Sequence, residues 1–129
     1  MTEANRQSAA ADERNAALAA WHEALDLQRL GHHGGTVSRA YYASYHAARA
    51  LLYEKGVEPK THEGVRRMIG VHYVLTNELG AAQGDALTRL AFMRDAADYA
   101  PASPAGATEA AEAVTLARGF LEAARVLPS

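Results

Sequence analysis

The sequence has no cysteine among its 129 residues. That excludes a disulfide framework, a thiolate zinc site and a cysteine nucleophile. No apolar run approaches the roughly 18 residues that a membrane-spanning helix requires. The stretch from Met1 to Arg14 is polar, carries both charge signs and lacks the apolar centre of a signal peptide. A reducing, cytoplasmic setting with no membrane partner is the expectation. No segment alternates apolar and polar residues with a strand's period. A Gly-rich phosphate loop, a nucleophile elbow and a dinucleotide fingerprint are also missing. Proline is scarce, four residues in all, and sits between the periodic stretches.

What is present points to a helical protein. Apolar residues make up 49% and charged residues 22%, an ordinary soluble composition. The length predicts one compact domain over residues 1–129, with the first eight residues frayed. Alanine, the best helix former, is abundant. Five helices are predicted: about Ala9 to Leu30, Thr36 to Lys55, Thr61 to Glu78, Asp85 to Tyr99 and Ala107 to Val126. Gly31-His32-His33-Gly34-Gly35 reads as a flexible stop, Gly80 to Gly84 as a turn and Pro101 to Gly106 as a loop. Thr61 is a good N-cap. Short connections make neighbouring helices antiparallel, so the expected fold is all-α, an up-and-down bundle. Leu18, Trp21, Leu25, Tyr41, Ala48, Leu51, Leu90 and Phe120 are the expected core.

The net charge is −2, but its distribution is uneven. Residues 29–74 hold seven Lys and Arg against Glu54, Glu58 and Glu63, and five of the six histidines. Both flanking regions carry a net charge of −3. An anionic partner would bind in this middle region; the alternative is a scatter of solvated charges.

The second helix is the most informative. At 100° per residue, Val37, Tyr41, Ser44, Ala48, Leu51 and Leu52 share one face, the core stripe. Arg39, Tyr42, His46, Arg49 and Tyr53 recur at spacings of three and four and form a second stripe, roughly opposite. Aromatic residues turned away from a helix's own core face another helix or another subunit. His46 can exchange a proton near neutral pH, and Arg39 can hold a phosphate bidentately. Together they suffice for RNA cleavage by the RNA's own 2′-hydroxyl without a metal, and a two-fold dimer would supply two such sets. Taken alone, the pair reads more simply as a surface Arg beside a partly exposed His.

The run Ser38-Arg-Ala-Tyr-Tyr-Ala-Ser-Tyr-His-Ala-Ala-Arg-Ala-Leu-Leu-Tyr53 resembles the HEPN domain superfamily, above all its small stand-alone prokaryotic members encoded beside minimal nucleotidyltransferases. Lys60-Thr-His-Glu-Gly64, Arg94-Asp-Ala-Ala-Asp-Tyr99 and the order of helices fit the same group, over about residues 12–125. The resemblance implies a dimerising helical bundle. It also implies a metal-independent endoribonuclease site across the dimer, built on an R-x(4–6)-H motif that maps onto Arg39 and His46. Tyr42, Arg49, Tyr53 and His62 are the expected substrate contacts. The implied partners are a second copy, RNA and a cognate nucleotidyltransferase antitoxin. In several toxin members that partner modifies a Tyr two residues after the His; here the position is Ala48. The second reading, from another class, is a non-catalytic HEPN module that binds a nucleotide or serves as the interaction subunit of a nucleotidyltransferase complex.

No metal or cofactor is expected. Adjacent His32 and His33 are poorly placed to chelate one ion, and no His-x-x-x-His or Glu-x-x-His pair anchors a set such as His22, His46 and His72. Arg94, Asp95 and Asp98 read as a structural ion-pair cluster, with Arg94 and Asp98 at the i, i+4 spacing.

Overall fold

A computed structural model describes residues 2–99 and 104–129. Pro101 to Ser103 of the expected loop lie outside the described residues. The protein is all-α: α1 (Glu3–Arg29), α2 (His33–Glu54), α3 (His62–Ile69) with a π-helical continuation (Gly70–Val74), α4 (Ala81–Tyr99) and α5 (Ala107–Ala123). No strand occurs among the described residues.

α1 starts six residues before the expected Ala9, and residues 3–8 are helical where fraying was predicted. The reason is local: the Thr2 hydroxyl accepts from the Asn5 amide at 3.1 Å, satisfying one of the orphan donors at the helix start. α2 starts at His33, so Gly34 and Gly35 lie inside the helix and not in a stop. A Cβ on Gly35 would sit 3.2 Å from Leu27 Cδ1; the glycine lets the end of α1 lie close against α2. Gly84 likewise lies within α4, its hydrogen facing Val74 Cγ2, where a Cβ would come within 3.3 Å. The α4 start at Ala81 replaces the predicted turn up to Gly84.

The predicted third helix is half right. Thr61 is its N-cap, accepting from the Gly64 amide at 2.8 Å. The α-helical register ends at Ile69, however, and the chain widens by one residue per turn, with Leu75 N–H donating to Gly70 C=O at 2.9 Å. The widened turn aims Tyr73 inward, where its hydroxyl donates to the Leu51 carbonyl, and leaves Val71 and Leu75 exposed. Asn77, with φ at 62°, ends the segment before Glu78.

The core stripe of α2 is buried along its whole length: Val37, Tyr41, Ser44, Ala48, Leu51 and Leu52 are each at most 8% exposed. Trp21, Leu90 and Phe120 are also buried, whereas Leu18 and Leu25 are half-buried at the margin. α2 lies centrally, packed on α1, α4 and α5. Its most extensive contact is with α1, which buries Ala10, Ala17, Ala20, Trp21 and Ala24. Small side chains let the two axes approach closely. That approach carries α1's acidic residues to the edge of the second α2 stripe. No helix among the described residues is long and apolar enough to cross a membrane.

Candidate functional site

The second stripe of α2 is half-buried at each of its five positions, Arg39, Tyr42, His46, Arg49 and Tyr53. Its neighbours come from three other helices. From α1, Glu13 is the central group. Its Oε2 stands 2.6 Å from His46 Nδ1, and its Oε1 stands 3.5 Å from Arg49 Nε, within ion-pair range but outside hydrogen-bond geometry. An ionised carboxylate only accepts, so His46 Nδ1 carries the proton. The other ring nitrogen, Nε2, is then the atom left for proton exchange.

Arg49 donates to the Tyr53 hydroxyl at 2.6 Å, and its guanidinium lies 5.7 Å from the Tyr45 ring centre. Arg39 belongs to a different level of the helix. Its guanidinium stacks over Tyr42 at 4.8 Å and reaches the Glu23 carboxylate only at 4.0 Å. At 36% exposure it is more open than Arg49 or His46. Seven residues separate Arg39 from His46, a rise of about 10.5 Å along the axis. Each is held by a different α1 carboxylate.

α4 contributes Arg94. It was expected to pair with Asp98 but turns inward instead. Its Nη1 donates to the Tyr42 hydroxyl at 2.9 Å, its Nη2 meets Asp95 at 3.0 Å, and its guanidinium lies 5.0 Å from the Tyr41 ring. Two aromatic faces and a phenol oxygen together outweigh an exposed i, i+4 ion pair, which is worth only a few tenths of a kcal/mol. α3 contributes His62, which lies against the stripe. It shares a 2.5 Å hydrogen bond through Nδ1 with the Tyr41 hydroxyl and stacks on Tyr45 at 4.2 Å. Burial pushes the His62 imidazole below the usual histidine range, and Arg94, Arg66 and Arg49 push it further. Burial raises the Tyr41 hydroxyl to about 12, so it stays protonated.

All six sequence-predicted site residues, Arg39, Tyr42, His46, Arg49, Tyr53 and His62, therefore lie on or against one face. Four groups escaped the sequence reading: Glu13, Glu23, Tyr45 and Arg94. Tyr45 belongs to neither α2 stripe but lies beside both, and only its position next to His46 marked it. Among the described residues, no three His, Asp or Glu side chains gather in a metal-holding arrangement. The chemistry on this face is proton exchange at His46 and anion binding by arginine.

Comparison with known proteins bears on this face. The family model described as "HEPN domain" matches residues 11–127. A Methanocaldococcus jannaschii protein named "Putative toxin MJ0605" is 40% identical over 68 residues, covering 53% of this chain and 51% of that protein. A second from the same organism, "Putative toxin MJ0142", is 36% identical over 63 residues, 49% of this chain and 43% of that protein. "UPF0332 protein PH1297" of Pyrococcus horikoshii is 56% identical over 39 residues, 30% of this chain and 28% of that protein. The matches thus span about half or less of these curated relatives. The family match covers nearly all of the bundle, and the chain belongs to the HEPN domain family.

Proposed function

We propose that this chain is a HEPN toxin-type, metal-independent endoribonuclease, with a composite site in which Arg39 and His46 of one copy meet those of a second copy across a two-fold axis. The observation that carries this reading is the Glu13 contact, which fixes the His46 tautomer and leaves Nε2 for the substrate. The separation of Arg39 and His46 along α2 favours the composite arrangement. One chain presents them at two levels, and an antiparallel second helix would set the Arg of each copy near the His of the other. The similarity to two proteins named as toxins supports the same role.

In the proposed reaction one His46 takes the 2′-hydroxyl proton at Nε2 as the O2′–P bond forms. The charged His46 of the other copy gives its Nε2 proton to the 5′ oxygen as the P–O5′ bond breaks. Arg39 from both copies stabilises the charge on the phosphorane. The products are a 2′,3′-cyclic phosphate and a 5′-hydroxyl. An RNA substrate sets this activity in the cytoplasm. Restraint by a cognate nucleotidyltransferase would have to act somewhere other than position 48, because Ala48 carries no hydroxyl and is wholly buried.

The test is RNA cleavage by the purified chain in EDTA, with end-group analysis of the products. The expected result is a cyclic phosphate end from the wild type, and none from folded Arg39→Ala or His46→Ala. Absence of cleavage by the wild type at any salt concentration, or its loss on chelation, overturns the reading. The first of these outcomes leaves the non-catalytic module in its place.

A further inference from the structure

Proton transfer and phosphate binding use His46 and the arginines. They leave four aromatic rings beside His46 without a task. Tyr45 and His62 lie nearly parallel, 13° apart with centres 4.2 Å from one another. Tyr41 extends the parallel set behind them, 20° from His62 and 27° from Tyr45. Tyr42 stands across it, at 86° to Tyr45 and 82° to His62. Tyr41 is buried, whereas Tyr42, Tyr45 and His62 are half-buried. The arrangement is two parallel rings with a perpendicular wall, and its near edge touches the reacting histidine: Tyr45 lies 5.5 Å from His46.

The surroundings fit one kind of occupant. Arg39 lies over the wall residue Tyr42, and Arg49 over Tyr45, so a cation flanks the rings toward either end of α2. The His62 ring is fixed by the Tyr41 hydroxyl and, with its protonation disfavoured, stacks as a neutral aromatic. The hydroxyls of Tyr41, Tyr42 and Tyr53 are already engaged by His62, Arg94 and Arg49. They are committed within the protein, which leaves stacking as the main means of holding a flat ring.

We propose that the Tyr45–His62 pair, walled by Tyr42, is a platform on which one unpaired nucleobase of single-stranded RNA stacks, with Arg39 and Arg49 holding the phosphates on its two sides. This rests on the RNA reading above and adds the form of the substrate. A base inside a duplex has both faces covered and cannot stack on a protein ring, so the strand must be unpaired at the site. Every base has a π-face, so selection among the four is weak. Tyr45 and His62 are binding residues in this scheme and take no part in proton transfer.

Binding of a fluorescently labelled 2′-O-methyl oligonucleotide, followed by anisotropy at low salt, tests the platform. The methyl group blocks internal attack, so the measurement does not depend on cleavage. Tyr45→Leu keeps apolar volume without a π-face; it is expected to weaken binding about 5- to 150-fold, the range for losing one stacking ring. Tyr45→Phe keeps the ring, serves if the leucine variant does not fold, and is expected to bind within about two-fold of the wild type by the same logic. An oligonucleotide of abasic residues is expected to bind the wild type weakly and to lose nothing further with Tyr45→Leu. A folded Tyr45→Leu protein that binds as tightly as the wild type overturns the platform, as does a duplex of equal length that binds as well as the single strand. Tyr45-dependent binding without any cleavage sinks the nuclease and keeps the platform. Cleavage that needs His46, with binding indifferent to Tyr45, does the reverse.

Discussion

Glu13→Ala is the perturbation that most directly probes how the site is assembled. The substitution removes the partner of His46 Nδ1 and the carboxylate near Arg49. The side chains concerned are 15%, 29% and 26% exposed for Glu13, His46 and Arg49, so water screens them only in part. A hydrogen bond to a charged group in such a place contributes about 1.5–3 kcal/mol. Alanine's better helix propensity returns only a few tenths of a kcal/mol. For a chain of this length the net loss corresponds to a fall in Tm of about 5–15 °C. The effect on cleavage has an upper bound, because an orienting group cannot contribute more than the proton transfer it orients, about 10²–10⁴-fold. Glu13→Gln keeps an oxygen that can accept from Nδ1 and is expected to fall between the wild type and the alanine variant in both measurements. Thermal melts monitored by circular dichroism, with cleavage rates measured well below each Tm, separate the two effects. A Glu13→Ala protein that melts within about 1 °C of the wild type, against that expected fall, and cleaves RNA at the same rate refutes the orienting role.

Three further outcomes follow from the same structure. Leu51→Ala, at a side chain 8% exposed, should cost about 2–5 kcal/mol in denaturant unfolding. A loss under about 0.5 kcal/mol, far below that range, would mean the core face of α2 is wrongly assigned. His62 has its folded pKa depressed below the unfolded value of about 6.5, so its contribution is full above that pH and is lost as pH falls toward the folded pKa. Wild type should therefore lose more stability between pH 7 and pH 5 than His62→Phe, and equal acid losses would contradict the burial of that ring. Arg125 occupies the left-handed region at φ 64°, just beyond the α5 cap Ala124. Arg125→Gly should raise stability by about 0.5–1 kcal/mol by relieving that strain, and an unchanged or lower unfolding midpoint would count against it.

The helices, and the two faces of α2, were legible because they depend on neighbours three and four residues away. The buried stripe from Val37 to Leu52 and the Thr61 cap are information of this kind. What sequence spacing does not carry is contact between elements. Glu13 meets His46 across 33 residues and Arg94 meets Tyr42 across 52. The local rule paired Arg94 with Asp98, and two aromatic faces on another helix drew it away. Gly35 and Gly84 were read as punctuation because glycine usually marks turns. In this bundle both lie inside helices that press closely against a neighbour's side chain. The π-helical turn after Ile69 was hidden for a related reason. Its advantage is tertiary, aiming Tyr73 at the Leu51 carbonyl, and no periodicity announces it.

The alanine-rich packing of α1 on α2 makes the gap between the two helices a ruler. Glu13 spans that gap to His46 with a side chain of fixed reach, so the width of the gap selects which acidic residue can serve. Aspartate, shorter by one methylene, would need the axes to move closer. A valine at buried Ala17 or Ala47 would push them apart, and the glutamate would then fall short. Positions with no polar atom in their side chains thereby set the protonation geometry of a histidine on the other side of the seam. A change in girth at the seam and a change in length at position 13 can compensate one another. Any redesign of this bundle for greater stability has to treat the two as a single variable.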